Sequence, residues 1–381
     1  MHTSFKGIQV KFSALTLSLF AATLNTVASN RPIGVFDSGT GGLTVLEKLL
    51  SVDEFDNKTG TRTPDGKADL ENEKFVYFGD QANMPYGLYG AKGKSDFLRE
   101  LIVRDTKFVL SGEMHKPAKI VVIACNTATA YGLEDSKKTA QPKGVKVIGV
   151  VNAGVEAAMD ALKVKKGVAP FAVGVIATPG TIASGVYERT LRTELKKRNV
   201  DCCEIVNRGG IGLAEAVEND ESSVNECART NFIALIESHR INGGKVPIKA
   251  VILGCTHYPF VLSQFKKTAS KLKKDSRYAS LIADDLVFID PAIYTAIQCY
   301  MELKKEGLIN NGDDKIKKVD AFISIGRNGP LSMEEKYGRP LGLEDIGTKI
   351  VPMTDKTMSK DAVNRLFKLL PLSSKEIFQN K

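Results

Sequence analysis

The chain has 381 residues, 43% hydrophobic and 25% charged. That composition excludes a disordered, collagen-like or coiled-coil protein. The length allows two or three domains whose cores need no disulfide or zinc staple. Lys and Arg outnumber Asp and Glu by 53 to 44, a net charge of +9. The excess is diffuse, in short clusters such as Lys266–Lys267 and Lys271, Lys273 and Lys274, with no Arg-rich stripe and no Trp. The pattern speaks against a nucleic-acid partner and for a solvated lysine surface that draws small anions.

The first 29 residues follow the three-part plan of a secretory signal. Lys6 and Lys11 come first with no acid, Phe12 to Ala22 is mostly apolar, and Val27-Ala28-Ser29 is a small-residue cleavage site. The apolar run is shorter than the roughly twenty residues a transmembrane helix needs. The expectation is an exported, periplasmic protein starting at Asn30, with no membrane anchorage once the leader is removed. All six cysteines lie beyond it. Their setting argues against disulfides: Cys125 and Cys255 end apolar runs, Cys202 and Cys203 are adjacent, and disulfide scaffolds are usually small and cysteine-dense.

In chain order, short β-rich runs alternate with helical stretches. Ile33 to Phe36 predicts a strand, followed by Gly-rich Ser38 to Gly42 and a helix from about Leu43 to Leu50. Asp53 to Asn72 is polar, scattered with Gly and Pro, and predicts a surface insertion; Asn310 to Lys318 is a second insertion. Strands are expected at Phe75 to Phe78, Ile120 to Ala124, Val145 to Val150, Ala172 to Ala177, Ala250 to Leu253, Leu286 to Ile289 and Ala321 to Ile325. Helices are expected near Ser95 to Leu110, Thr181 to Lys197 and Lys360 to Leu370. Short, continuous, apolar strands belong to parallel sheets covered on both faces, and the alternation indicates βαβ units and an α/β fold.

A weak internal repeat goes further. Val121-Val122-Ile123-Ala124-Cys125-Asn126-Thr127 and Val251-Ile252-Leu253-Gly254-Cys255-Thr256-His257 share a plan: an apolar run, a small residue, a cysteine and a polar, Thr-containing tail. The repeat predicts two pseudo-symmetric α/β lobes, each a mostly parallel sheet flanked by helices. Residues 30–150 with about 275–381 would form the first lobe and 151–274 the second. Ligands of open α/β sheets sit at the carboxyl ends of the strands, so both cysteines would face one inter-lobe cleft. One thiolate could then take a proton from a carbon while the opposite thiol returns one to the other face. Asn126, Thr127 and Thr256 would supply hydrogen bonds to a carboxylate or amine.

Four blocks resemble the signature blocks of the glutamate racemases within the aspartate/glutamate racemase superfamily. They are Phe36-Asp37-Ser38-Gly39-Thr40-Gly41-Gly42, Gly79-Asp80 with Pro85-Tyr86-Gly87, Ala124-Cys125-Asn126-Thr127-Ala128, and Gly254-Cys255-Thr256-His257-Tyr258-Pro259. The resemblance spans roughly residues 32 to 300. A Glu is usual in the aspartate branch where His257 stands, so the glutamate branch matches better. The resemblance implies an active site between the lobes, an acidic amino acid as substrate, and neither pyridoxal phosphate nor metal. Cys125 would deprotonate the D-enantiomer, assisted by Asp37, and Cys255 the L-enantiomer, assisted by His257. An acid of the second lobe also takes part, with Glu218 the nearest match and Glu215 its rival. Substrate contacts carried over are Asp37, Ser38, Tyr86, Gly87, Asn126, Thr127, Thr256 and His257, with Thr178 and Thr181 from the second lobe.

Other signals lead elsewhere or nowhere. Gly39-Thr40-Gly41-Gly42 fits neither common phosphate-loop pattern and reads as a tight turn beside substrate. Cys255 and His257 lack the other half of a metal site, and His2, His115 and His239 have no ligand spacing. Alternatives in view are an aspartate or broad-specificity racemase and an exported amino-acid-binding protein that needs no thiols. A homodimer is an assembly the reading allows.

Overall fold

The computed structural model describes residues 28–219, 222–310, 312, 318–338 and 347–379. Along them the chain runs β1 (Ile33–Asp37), α1 (Leu43–Ser51), β2 (Phe75–Gly79), α2 (Gly87–Ala91), α3 (Ser95–Ser111), β3 (Ile120–Ile123), α4 (Asn126–Ala140), β4 (Lys146–Gly149) and α5 (Val150–Ala161). It continues through β5 (Phe171–Ala177), α6 (Pro179–Ala183), α7 (Val186–Lys197), β6 (Cys203–Gly209), α8 (Leu213–Asn219), α9 (Val224–Ile241), β7 (Ile248–Gly254), α10 (Leu262–Leu272) and β8 (Ile282–Ile289). Last come α11 (Pro291–Lys305), β9 (Val319–Gly326), α12 (Met333–Tyr337), β10 (Thr348–Pro352), α13 (Lys360–Leu369) and α14 (Pro371–Phe378). Every residue of β1, β2, β3 and β5 is buried, which is why these strands are apolar throughout save Asp37 at the end of β1.

Two sheets form two lobes. The first has the order β10-β9-β2-β1-β3-β4, parallel except for the antiparallel edge β10; the second, β6-β5-β7-β8, is parallel throughout. In each sheet the winding reverses beside its first strand: β1 lies between β2 and β3, and β5 between β6 and β7. The crevice at such a reversal, past the strand ends, is where α/β sheets bind ligands. Asp37 ends β1 and Cys125 follows β3; Thr178 follows β5 and Cys255 follows β7. The expected two-lobed α/β architecture is the one observed.

Three details differ from expectation. The second lobe does not end at 274, because β8 continues the parallel ladder beside β7, pairing Ala250 with Val287 and Ile252 with Ile289. Only with α11 does the chain return, placing Ala292, Ala296, Cys299 and Leu303 in the first-lobe core. The helix expected over 181–197 is two helices, parted at Gly185, whose φ of 67° is a left-handed conformation suited to glycine. Strands β6 and β10 were not legible, both being half-exposed edges. The insertion at 53–72 is largely exposed, yet Phe55 and Leu70 fold back into the core, with Phe55 stacked on Tyr300 at 4.5 Å.

The leader through residue 27 lies outside the described residues. Ser29 is tied to the fold: its carbonyl accepts a 2.6 Å hydrogen bond from Lys119 Nζ, which also forms a buried 2.6 Å ion pair with Glu73. No helix among the described residues is long and apolar enough to cross a membrane.

Candidate active site

Cys125 sits at the N-cap of α4, where strand gives way to helix, and its Sγ accepts the Ala128 N–H at 3.4 Å. The same thiol faces Ser38 Oγ at 3.7 Å. Asp37 lies beside it. Its Oδ2 accepts the N–H groups of Gly42 at 2.9 Å and Gly39 at 3.2 Å, while the buried Oδ1 has no protein partner. A Cβ on Gly42 would stand 2.4 Å from Asp37 Cβ, so the turn needs glycine there to come this close. Burial pushes the Asp37 carboxyl up, against the charge of His257 and the two N–H donors. Burial, and then the negative charge of Asp37, pushes the Cys125 thiol far up, against the Ala128 N–H and Ser38. On this face the sulfur holds its proton.

The second face is built oppositely. Cys255 Sγ lies 3.6 Å from His257 Nδ1, because the chain turns after β7 into a short 3-10 helix (Tyr258–Val261) with His257 at its N-cap. His257 Nε2 stands 3.4 Å from Glu218 Oε2, an ion-pair distance without hydrogen-bond alignment. Glu218 Oε1 accepts a 2.8 Å hydrogen bond from Thr40 of the first lobe. Burial alone would lower the pKa of the imidazole, but its hydrogen-bond contact with Cys255 and the negative charges of Cys255 and Glu218 outweigh that and hold it well above the ordinary value. Burial would raise the Glu218 carboxyl, yet His257, Thr40 and the charge of Arg365 bring it below its usual range. Cys255 therefore faces an imidazolium backed by a carboxylate, whereas Cys125 faces an anion. A Cβ on Gly41 would stand 2.5 Å from Thr256 Oγ1 and 2.6 Å from His257 Cε1, so bare backbone lets the first lobe close on this relay.

Both cysteines line one narrow cavity of about 40 Å³, together with Ser38, Tyr86, Gly87, Asn126, Thr127, Thr178, Glu218, Thr256 and His257. Thr181 stands behind its wall, its hydroxyl 2.9 Å from those of both Thr127 and Thr178. This hydroxyl cluster joins the lobes, as does the 2.5 Å hydrogen bond from Tyr187 to Asn126 Oδ1. Tyr86 differs from expectation: its ring lines the cavity, but its hydroxyl is held between Asp80 and Asp105, 2.6 Å from each. Arg104 bridges the same two carboxylates at 2.6 and 2.9 Å. Tyr86 thus anchors the wall and offers the cleft no free hydroxyl. Of the two rival acids, Glu218 meets His257 while Glu215 lies exposed at the cavity rim. Sequence reasoning gave no role to Thr40, although it lies inside the Gly-rich block. It missed Tyr187 and Arg365, which no local pattern marks.

The profile of the Asp/Glu/Hydantoin racemase family matches residues 82–275 of the chain. A glutamate racemase of Clostridium novyi is 32% identical over 301 residues, 78% of this chain and 92% of that protein. The chain belongs to the Asp/Glu/Hydantoin racemase family. A glutamate racemase of Lactobacillus helveticus is 30% identical over 306 residues, 78% of this chain and 92% of its own. Among solved structures, the glutamate racemase of Francisella tularensis in complex with D-glutamate superposes with a TM-score of 0.57 at 27% identity, covering 77% of this chain and 88% of that one. A Bacillus anthracis glutamate racemase gives 0.56 at 27% identity, over 77% and 87%. The matched segment of this racemase-family chain holds Cys125, Glu218, Cys255 and His257, while Asp37, Thr40 and Arg365 come from outside it.

Proposed function

We propose that the chain interconverts L- and D-glutamate by moving the Cα proton between two thiols, with no organic cofactor or metal in the proton path. One observation carries this reading: two buried cysteines line one cavity in opposite electrostatic settings, one biased to thiol and the other facing an imidazolium. Cys255 as thiolate takes the Cα proton of the L-enantiomer, and the Cα–H electron pair stays on carbon. Cys125 delivers its proton to the opposite face, giving the D-enantiomer. The proton now on Cys255 and the negative charge on Cys125 mirror the starting state, ready for the reverse turnover. The Cα–H of an amino acid is far less acidic than a thiol, so the developing charge must be stabilised by preorganised donors. Asn126, Thr127 and Thr256, with the positive N-terminal end of α4, supply donors suited to the α-carboxylate. The unpartnered Asp37 Oδ1 suits the α-ammonium.

The relatives named glutamate racemases support glutamate over aspartate. The test is turnover of L-glutamate, D-glutamate, L-aspartate and neutral amino acids by protein treated with chelator and with hydroxylamine to strip carbonyl cofactors. Inversion of glutamate supports the reading. Binding without inversion would leave an amino-acid-binding protein.

We also propose that the chain acts after export, with residues 1–29 removed. The support is the charged, apolar and small-residue pattern of that segment. An intact mass matching a start at Asn30 in the exported fraction is expected; a chain starting at Met1 in the cytosol would contradict it.

A further inference from the structure

Glu218 and His257 belong to the second lobe, yet the wall behind them comes from the end of the chain. Helix α13 is rooted in the first-lobe core by Leu366, with Leu369 packed against it and Leu370 following, and α14 packs on α1. From that rooted helix Arg365 reaches across to α8, where Nη1 donates to the Val217 carbonyl at 3.2 Å. Val217 immediately precedes Glu218. The last carbonyls of a helix have no partner within it, and a cation is favoured at that end. The guanidinium therefore caps α8 at the turn that carries the carboxylate. A small cavity of about 20 Å³ is shared by Arg365, Leu366, Glu218, His257 and Gly41, so the cap and the relay are neighbours. Arg365 and the helix that carries it lie outside the matched family segment, which ends at residue 275.

We propose that Arg365 is a positioning residue for the second-lobe relay: from a helix rooted in the first lobe it caps α8 and fixes Glu218 opposite His257. The relay is then complete only while the C-terminal helix is docked across the lobes. The proposal rests on the two-thiol reading for its kinetic consequence, but its geometry does not. The groups that bear on Glu218 are His257 from the turn after β7, Thr40 from the first lobe and Arg365 from α13. Asp361 and Lys368 of α13 stand along the same groove, and Asp37 lies beyond His257.

The test compares Arg365→Met and Arg365→Lys in the full-length chain. Without the guanidinium, Glu218 holds its proton to higher pH. The acidic limb of kcat/KM should move up by about one unit in R365M, a loss of about tenfold below the limb that recovers above it. R365K, which keeps the charge, should stay close to wild type. In a Glu218→Gln background R365M should add less than about twofold, as expected for residues acting through one another. A second readout needs no amino acid: in Cys125→Ser, iodoacetamide labelling of Cys255, followed by peptide mass, should slow several-fold on the acidic limb when R365M is added, and match the parent above it. A loss uniform across pH, accompanied by a lower Tm and fully additive with E218Q, would overturn the proposal in favour of plain packing. Unchanged labelling in R365M would overturn it as well. If wild type turns over no amino acid, the racemase reading fails, and labelling still decides the role of Arg365.

Discussion

Replacing Glu218 with Gln removes a charge from the second-lobe relay while keeping its shape. The carboxylate lies 3.4 Å from His257 Nε2. At an effective dielectric constant near 20, unit charges at that separation attract by about 5 kcal/mol before desolvation is counted. Gln can still accept from Thr40, and burying a neutral amide is easier than burying a carboxylate, so the net loss is smaller. About 1.4 to 2.7 kcal/mol corresponds to one to two pKa units on His257. The sign follows from the state that is lost. Glu218 helps hold the His257 pKa above its ordinary value; without it the imidazolium gives up its proton at lower pH, and Cys255 loses its cationic partner. At about pH 8 kcat/KM should fall about ten- to hundredfold, with the alkaline limb one to two units lower. Because the two enantiomers have equal free energy, kcat/KM must fall equally in both directions, while the separate kcat values need not. Racemisation followed by circular dichroism from both enantiomers across the pH range is the assay. E218Q within about twofold of wild type between about pH 6 and 9, with its limb unmoved, would refute the reasoning.

Two further substitutions probe the other groups. Asp37→Asn removes the anion that, after burial, pushes up the Cys125 thiol; in a Cys255→Ser background Cys125 should alkylate about tenfold faster at a given pH. Racemisation by Asp37→Asn alone should nonetheless fall, since the group facing the substrate ammonium is gone, and labelling no faster than in the parent would contradict the electrostatic assignment. Asp105, pushed by burial and by Asp80 up to about 7, keeps a proton when folded that the unfolded chain has already lost. Its contribution to stability therefore declines as pH rises from the usual carboxylate range to about 7. Asp105→Asn should gain in Tm relative to wild type between about pH 5 and 8; a Tm difference independent of pH would show that the proton is not held there.

Much of the site was legible because it lies where strands end. The two apolar runs closing on Cys125 and Cys255 repeat one local plan, and local plans survive into the fold. What the sequence left open depends on turns or on distant partners. Whether His257 touches Cys255 is settled by the 3-10 turn after β7, which no spacing of two residues fixes. Glu218 stood as the nearest match with Glu215 its rival; α8 turns Glu218 toward His257 and leaves Glu215 exposed. Tyr86, a substrate contact on resemblance alone, does line the cavity with its ring. Its hydroxyl partners Asp80 and Asp105 were beyond local reading, and they turn it the other way. Arg365 gave no signal at all, for its contact with Val217 spans 148 residues. The lobe boundary was set too early because β8 is an edge strand whose acidic middle, Asp284 and Asp285, hides its pairing with β7.

The most direct test of the two-thiol claim is Cα hydrogen exchange in D₂O by Cys125→Ser and Cys255→Ser, each given pure L- and pure D-glutamate. Removing one thiol should abolish inversion but leave the other able to take and return a proton on its own face. Cys255→Ser is expected to exchange deuterium into D-glutamate only, Cys125→Ser into L-glutamate only, with the configuration retained in both. Either variant racemising at the wild-type rate, or exchanging both enantiomers alike, would contradict the assignment of one face to each cysteine.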